Sequence, residues 1–302
     1  MRLKFGRTDL ELLLVVVLWG FNLTVVKLAL REVDPMAFNI VRFACASAAL
    51  LAVTWAVERS VCVPRADLGR VLLLGLIGHA LYQLCFILGL ARTTASSVAL
   101  IFGSTPIVVA ILSRLAGHER FGVTTTAGAL LAFYGVFLIV TGKPEELADT
   151  GHALAGDILA LGAVVCWSCY TVLAAPLLKR HSPLKITALS LSYGMIMMAP
   201  ASVPALLRQS WSAVSPLTWA SLGYSALFAL VIPTVLWYRS VQRVGNVRTA
   251  LYSNLVPVFG TLFSVWLIGD QLTAGIGLGG ACVLAGIVIS RLKHGSARVP
   301  ES

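Results

Sequence analysis

The chain is 302 residues long, 58% hydrophobic and only 12% charged, a balance that argues against a soluble globular domain. Its net charge of +10 sits in small groups between apolar runs, not in a patch with interleaved aromatics, which argues against nucleic-acid binding. No H-E-x-x-H motif, deep pair of carboxylates or phosphate loop occurs, so neither an enzyme, a metal or cofactor site, nor direct ATP drive is expected.

In chain order, basic Arg2, Lys4 and Arg7 precede an apolar run from Leu10, which imitates a secretory signal. The run continues past a typical signal core, and no small-x-small site precedes Lys27, so a retained first span is expected. A span needs about 20 mostly apolar residues. On that measure the all-α chain is predicted to cross the membrane ten times, over 10–30, 37–57, 68–90, 95–115, 123–141, 158–178, 186–206, 217–238, 249–268 and 274–292. Pro35, Pro64, Pro144, Pro183 and Pro216 punctuate five short connections. The longest and most acidic connection (143–156) is read as a periplasmic linker between one five-helix half (1–142) and another (157–302). With the N-terminus inside, seventeen Lys and Arg fall in inner segments and five in outer ones, with Arg42 left inside the second span. This bias predicts cytoplasmic N- and C-termini in a multi-pass inner (plasma) membrane protein.

The halves echo each other. An offset of 151 maps Ala99 onto Ala250, Pro106 onto Pro257, Glu119 onto Asp270, Gly128 onto Gly279 and Gly135 onto Gly286. An offset of 148 pairs Asp9 with Asp157, Trp19 with Trp167 and Pro35 with Pro183. Five spans is an odd number, so the second copy enters the membrane with opposite sense. Such inverted-topology repeats are expected of alternating-access transporters holding substrate near the midplane between the repeats. Two fused repeats make a monomer sufficient.

In the third span His79, Tyr82, Gln83 and Phe86 share one helical face. A polar, aromatic face is out of place against lipid tails, so it is expected to line a substrate cavity; the competing reading is a polar seam between helices. Trp19 with Asn22, and Trp167 with Tyr170, sit at i, i+3 in repeat-equivalent places, about 14 Å into their runs and too deep for interface anchors alone. Small residues from Ala95 to Ser104 allow close approach of a helix or ligand. Pro106 and Pro257, read as mid-helix prolines, are candidate hinges. Tyr252 and Asn254 add polar groups to the ninth span, and Tyr193, Tyr224 and Trp237 are further wall candidates for which packing is the favoured reading. Arg42 is the one strong charge at depth; meeting a substrate carboxylate, snorkelling and pairing with a loop carboxylate are its open roles, and its place near the outer side favours a structural or gate-related one. Cys166-Trp-Ser-Cys169 is formally C-x-x-C but, inside an apolar run, is read as packing. Gly275, Gly279 and Gly286 form a small-residue face for packing within the chain.

The residues Leu18-Trp-Gly-Phe-Asn22, Ala95 to Pro106 with Gly117-His-Glu119, Cys166-Trp-Ser-Cys-Tyr170, and Val247 to Pro257 with Gly269-Asp270 resemble the drug/metabolite transporter superfamily in its ten-helix EamA-type branch. The usual Gly-Glu before the fifth and tenth spans appears as His118-Glu119 and Gly269-Asp270. The resemblance implies export of amino acids and other small metabolites, with aromatic amino-acid exporters of the YddG type as a close match. Its implied partners are a small-molecule substrate and the lipid bilayer. A carrier of nucleotide-linked or phosphorylated sugars is the alternative, disfavoured because only Arg42 could meet phosphate.

Overall fold

The computed structural model describes residues 6–90, 92, 98, 101–118, 122–141, 150–268 and 274–291. Among them all regular structure is helical. The first elements are α1 (Arg7–Ala29), α2 (Pro35–Glu58), α3 (Arg65–Gly75) and α4 (Tyr82–Leu90), with a π-helical turn at Leu76–Leu81 joining the last two. Next come α5 (Thr105–Leu115), α6 (Val123–Thr141), α7 (Thr150–Leu178), α8 (Pro183–Arg208) and α9 (Pro216–Tyr224). A second π-helical turn, Ser225–Val231, leads into α10 (Ile232–Val244), followed by α11 (Asn246–Leu251), α12 (Leu255–Ile268) and α13 (Ala274–Arg291). Glu119, Asp270, Ala95, Ser96, Ser97, Ala99 and the linker from 143 to 149 lie outside the described residues.

Six stretches are long and apolar enough to cross a membrane: Arg7–Val26, Pro35–Glu58, Arg65–Gly89, Leu154–Leu178, Pro183–Arg208 and Pro216–Val244. Shorter apolar helices, Ile101–Leu115, Val123–Ile139 and Gly277–Ser290, fall where the fourth, fifth and tenth spans are expected. Large apolar side chains such as Leu14, Val57, Leu161, Ile196, Leu207 and Trp266 stay exposed, as a surface solvated by lipid tails requires.

The boundary prolines act as helix starters. Pro35, Pro183 and Pro216 each hold the first helical position, where a missing N–H costs nothing. Ahead of them Asp34, Ser182 and Ser215 cap the helices, accepting from Met36, Lys185 and Thr218 amides at 2.8, 3.1 and 3.3 Å. Pro106 and Pro257 turn out to belong to first turns as well. Pro106 is the second residue of α5, after a break at Ser104, and Pro257 is the third of α12, after a 3-10 turn at Tyr252–Asn254. The predicted unbroken ninth span is therefore two helices. The connection expected over 239–248 is itself helical except for Gly245, whose φ of 85° suits only glycine.

Helix α6 crosses α13 at close range. A Cβ on Gly135 would meet the Gly279 carbonyl at 2.5 Å, a Cβ on Gly279 the Gly135 carbonyl at 2.5 Å, and Gly128 and Gly286 oppose each other likewise. Helix α1 packs on α12 and α10, α2 on α8, and α4 on α7, which wraps one main core around both halves of the sequence.

Candidate functional site

The core of the molecule is a chain of aromatic rings. Trp19 of α1 lies 5.6 Å from Trp167 of α7 and 5.3 Å from Trp237 of α10, and the two latter indoles are 5.7 Å apart. Tyr82 of α4 reaches Trp167 at 5.3 Å, stacks on Phe86 at 6.1 Å and touches Phe102, which contacts Phe86 at 5.7 Å. From Trp167 the path continues to Tyr170 at 5.3 Å, then to Tyr238 at 5.0 Å, and to His79 at 4.9 Å. These spacings are those of favourable edge and offset ring contacts. Trp19, Trp167, Tyr82, Phe86, Tyr170 and His79 thus come together as the sequence suggested, though as rings packed on one another. Two cavities, of about 350 and 490 Å³, are lined by none of these side chains.

Local backbone irregularity positions the rings. Pro233 has no N–H to offer the Ala229 carbonyl four residues earlier, so the second π-helical turn leaves that oxygen open. The Trp19 indole N–H fills it at 2.9 Å, which anchors α1 to the turn. The first π-helical turn carries His79, whose Nε2 shares a proton with the Tyr170 hydroxyl at 3.0 Å and faces Ser190 Oγ at 3.4 Å. Gly78, beside it, is required: a Cβ there would run into the Tyr170 ring. Polar groups without a partner in this region include the Asn22 Oδ1 and the Trp237 indole N–H. Buried polar atoms left open in this way are where ligand atoms are commonly accommodated. Gln83 is also buried.

Other candidates go elsewhere. Tyr252 donates to Asp9 Oδ1 at 2.8 Å, and Arg248 pairs with the same oxygen at 3.2 Å, so it belongs to an ion-pair group away from the rings. Ser104 returns its hydroxyl to the Ile101 carbonyl at 2.6 Å. Tyr224 donates to the Leu18 carbonyl at 3.2 Å. Trp237, read from sequence as packing, touches both repeat-equivalent tryptophans. Phe102 and Tyr238 were missed, since a single phenylalanine or tyrosine in an apolar run carries no spacing signal.

The end of the molecule bearing Arg7 is laced by charges joining early residues to late ones. Glu11 meets Arg243 at 3.0 Å and Arg239 at 3.8 Å; Asp67 meets Arg180 and His181, each at 2.7 Å; Glu58 meets Lys185 at 3.1 Å. Asn246 donates to Ser113 Oγ at 3.2 Å between α11 and α5. At the opposite end Glu32 accepts from the Ser215 amide and hydroxyl at 2.8 and 2.9 Å.

Comparison with known proteins gives this architecture a class. The model of the EamA-like transporter family matches residues 7–141 and again 154–292. The chain belongs to the EamA-like transporter family: it is a multi-pass membrane transporter and not an enzyme. It is 29% identical over 292 residues to a "Probable amino-acid metabolite efflux pump" of Salmonella typhimurium, and 25% identical over 287 residues to one of Escherichia coli, covering 92% of both chains in each case. An uncharacterized transporter of Archaeoglobus fulgidus is 27% identical, over 96% of this chain and 99% of its own. One crystal structure superposes with a TM-score of 0.79 over 94% of this chain and 96% of that one; at 17% identity this shows the shared fold.

Proposed function

We propose that this transporter exports small metabolites, foremost amino acids with aromatic or apolar side chains, across a bacterial inner membrane by alternating access between two inverted five-helix halves. The observation that carries the reading is the convergence of Trp19 and Tyr82 from one half with Trp167, Tyr170 and Trp237 from the other. A solute ring can take over such ring–ring contacts at little loss when the halves part. His79, Gln83 and Asn22 then face its polar groups, and the helix breaks ahead of Pro106 and Pro257 are the hinges.

Reciprocal glycine contacts between α6 and α13, and π-helical turns starting 149 residues apart at Leu76 and Ser225, support the two-half reading. So does the family's double match. The pairs of Asp9, Glu11, Glu58 and Asp67 with Arg248, Arg243, Lys185 and Arg180 tie 1–142 to 157–302 and serve as the closed inner gate, with the termini cytoplasmic. Rings in mutual contact belong to a state with the site shut, and one chain is the working unit. Two efflux relatives bear names that mention amino-acid metabolites, in keeping with a YddG-type exporter. The experiment is uptake of labelled tryptophan, phenylalanine and alanine into proteoliposomes by wild type, Trp19→Ala and Tyr82→Ala. Ring-dependent uptake lost in both variants supports the site; equal uptake by all three proteins removes it.

A further inference from the structure

Among the described residues, one buried arginine has no ion-pair partner. Arg42 of α2 is 6% exposed and forms no ion pair with any described carboxylate. Its Nη1 donates to Ser225 Oγ at 3.0 Å, its guanidinium carbon lies 5.5 and 5.7 Å from the Phe38 and Phe43 ring centres, and its Nε has no acceptor. One hydroxyl and two ring faces leave most of the five guanidinium donors uncommitted. An uncompensated buried charge is expensive, all the more in a membrane, and such groups mark solute or ion sites. One turn earlier on the same face, Asn39 is buried with neither side-chain atom hydrogen-bonded.

The location joins this group to the ring cluster. Phe43, whose ring lies under the Arg42 guanidinium, contacts His79 at 5.9 Å. Ser225, held by Arg42, and Ala229, held by Trp19, belong to the same π-helical turn, four residues or roughly 6 Å of rise apart. Arg42 and Trp19 are therefore anchored to one and the same turn.

We propose that Arg42, flanked by Asn39 and Ser225, is the subsite for the carboxylate of the transported solute. The inference rests on the exporter reading and sharpens it: the solute is a carboxylate, not merely an aromatic. The guanidinium offers a planar fork for bidentate recognition, which a lysine cannot reproduce.

The test measures uptake of labelled phenylalanine into proteoliposomes of the full chain in competition with 3-phenylpropionate, which keeps the carboxylate, and phenethylamine, which lacks it. Binding of the same compounds is read in parallel from tryptophan fluorescence of the detergent-solubilised protein. Wild type is expected to be inhibited by phenylpropionate and not by phenethylamine. Arg42→Gln should weaken carboxylate binding roughly 10- to 100-fold while leaving phenethylamine binding unchanged. Arg42→Lys should fall between, and Ser225→Ala and Asn39→Leu should move in the same direction, which keeps the test alive if Arg42→Gln fails to fold. If the Arg42 variants keep the wild-type preference for phenylpropionate, Arg42 is a structural cation held by its two phenylalanines; the exporter reading then stands and this subsite does not. If wild type moves no phenylalanine and binds none of the compounds, the exporter reading falls and the subsite with it.

Discussion

The bond between the Trp19 indole and the Ala229 carbonyl shows how one residue's role follows from another's defect. Proline cannot donate, so Pro233 opens an acceptor that the indole closes. Trp19→Phe is expected to lower stability by about 1 kcal/mol, in the range measured for hydrogen bonds between membrane helices. In a Pro233→Ala background, where a backbone N–H becomes available to Ala229, most of that loss should vanish; thermal unfolding of the four proteins in a double-mutant cycle reads the difference. Glu32 supplies a second prediction. Its carboxylate accepts from the Ser215 amide first, and then from the Thr218 and Ser215 hydroxyls, which holds its pKa below the ordinary glutamate value. A folded-state value below the unfolded one means stabilisation above the ordinary glutamate range, lost as pH falls through the depressed value. Glu32→Gln should therefore lower the melting temperature on the neutral side and leave the acid limit little changed, so that this part of the pH profile flattens.

Among the elements, the crossing of α6 on α13 is the tightest. Gly135 and Gly279 each face the other's carbonyl with no room for a methyl group. Replacing either by Val forces the helices apart and should cost about 1–3 kcal/mol, typical of overpacking. Gly69 and Gly223, with nothing within 4 Å of a Cβ, should accept Ala without loss, because alanine is the better helix former. Melting of the four single variants separates close packing from a general intolerance of substitution. The broken ninth span belongs to this scale too. Arg239, Arg243 and Arg248 mark a loop when read from sequence, yet the helices run on through them because Glu11 and Asp9 of α1 receive their charges.

On the scale of the whole molecule, the ion pairs described at the end bearing Arg7 join the two sequence halves, apart from the pair of Arg7 with Glu11 within α1. Glu11→Gln combined with Asp67→Asn should loosen that end. The measurement is thiol labelling of Ser113→Cys, a position fully buried beside Asn246, which should react faster in the double variant than in the wild-type background. Unchanged labelling would mean that packing of α5 on α11 holds the end shut without the charges.

What sequence by itself determined is the membrane class, the helical composition, the proline and serine or aspartate starts of α2, α8 and α9, and the two deep tryptophans, Trp19 and Trp167. Those are local or periodic properties, set by apolar run length, cap chemistry and spacing. Tertiary structure alone decided that Trp19 and Trp167 meet each other and Trp237, that Tyr252 turns to Asp9, and that Arg42 is buried with no ion pair to a described carboxylate. Ring contacts, ion pairs and desolvation depend on which helices become neighbours and on where the backbone leaves its regular hydrogen bonding. The two π-helical turns change that bonding while leaving the apolar pattern of the chain unaltered.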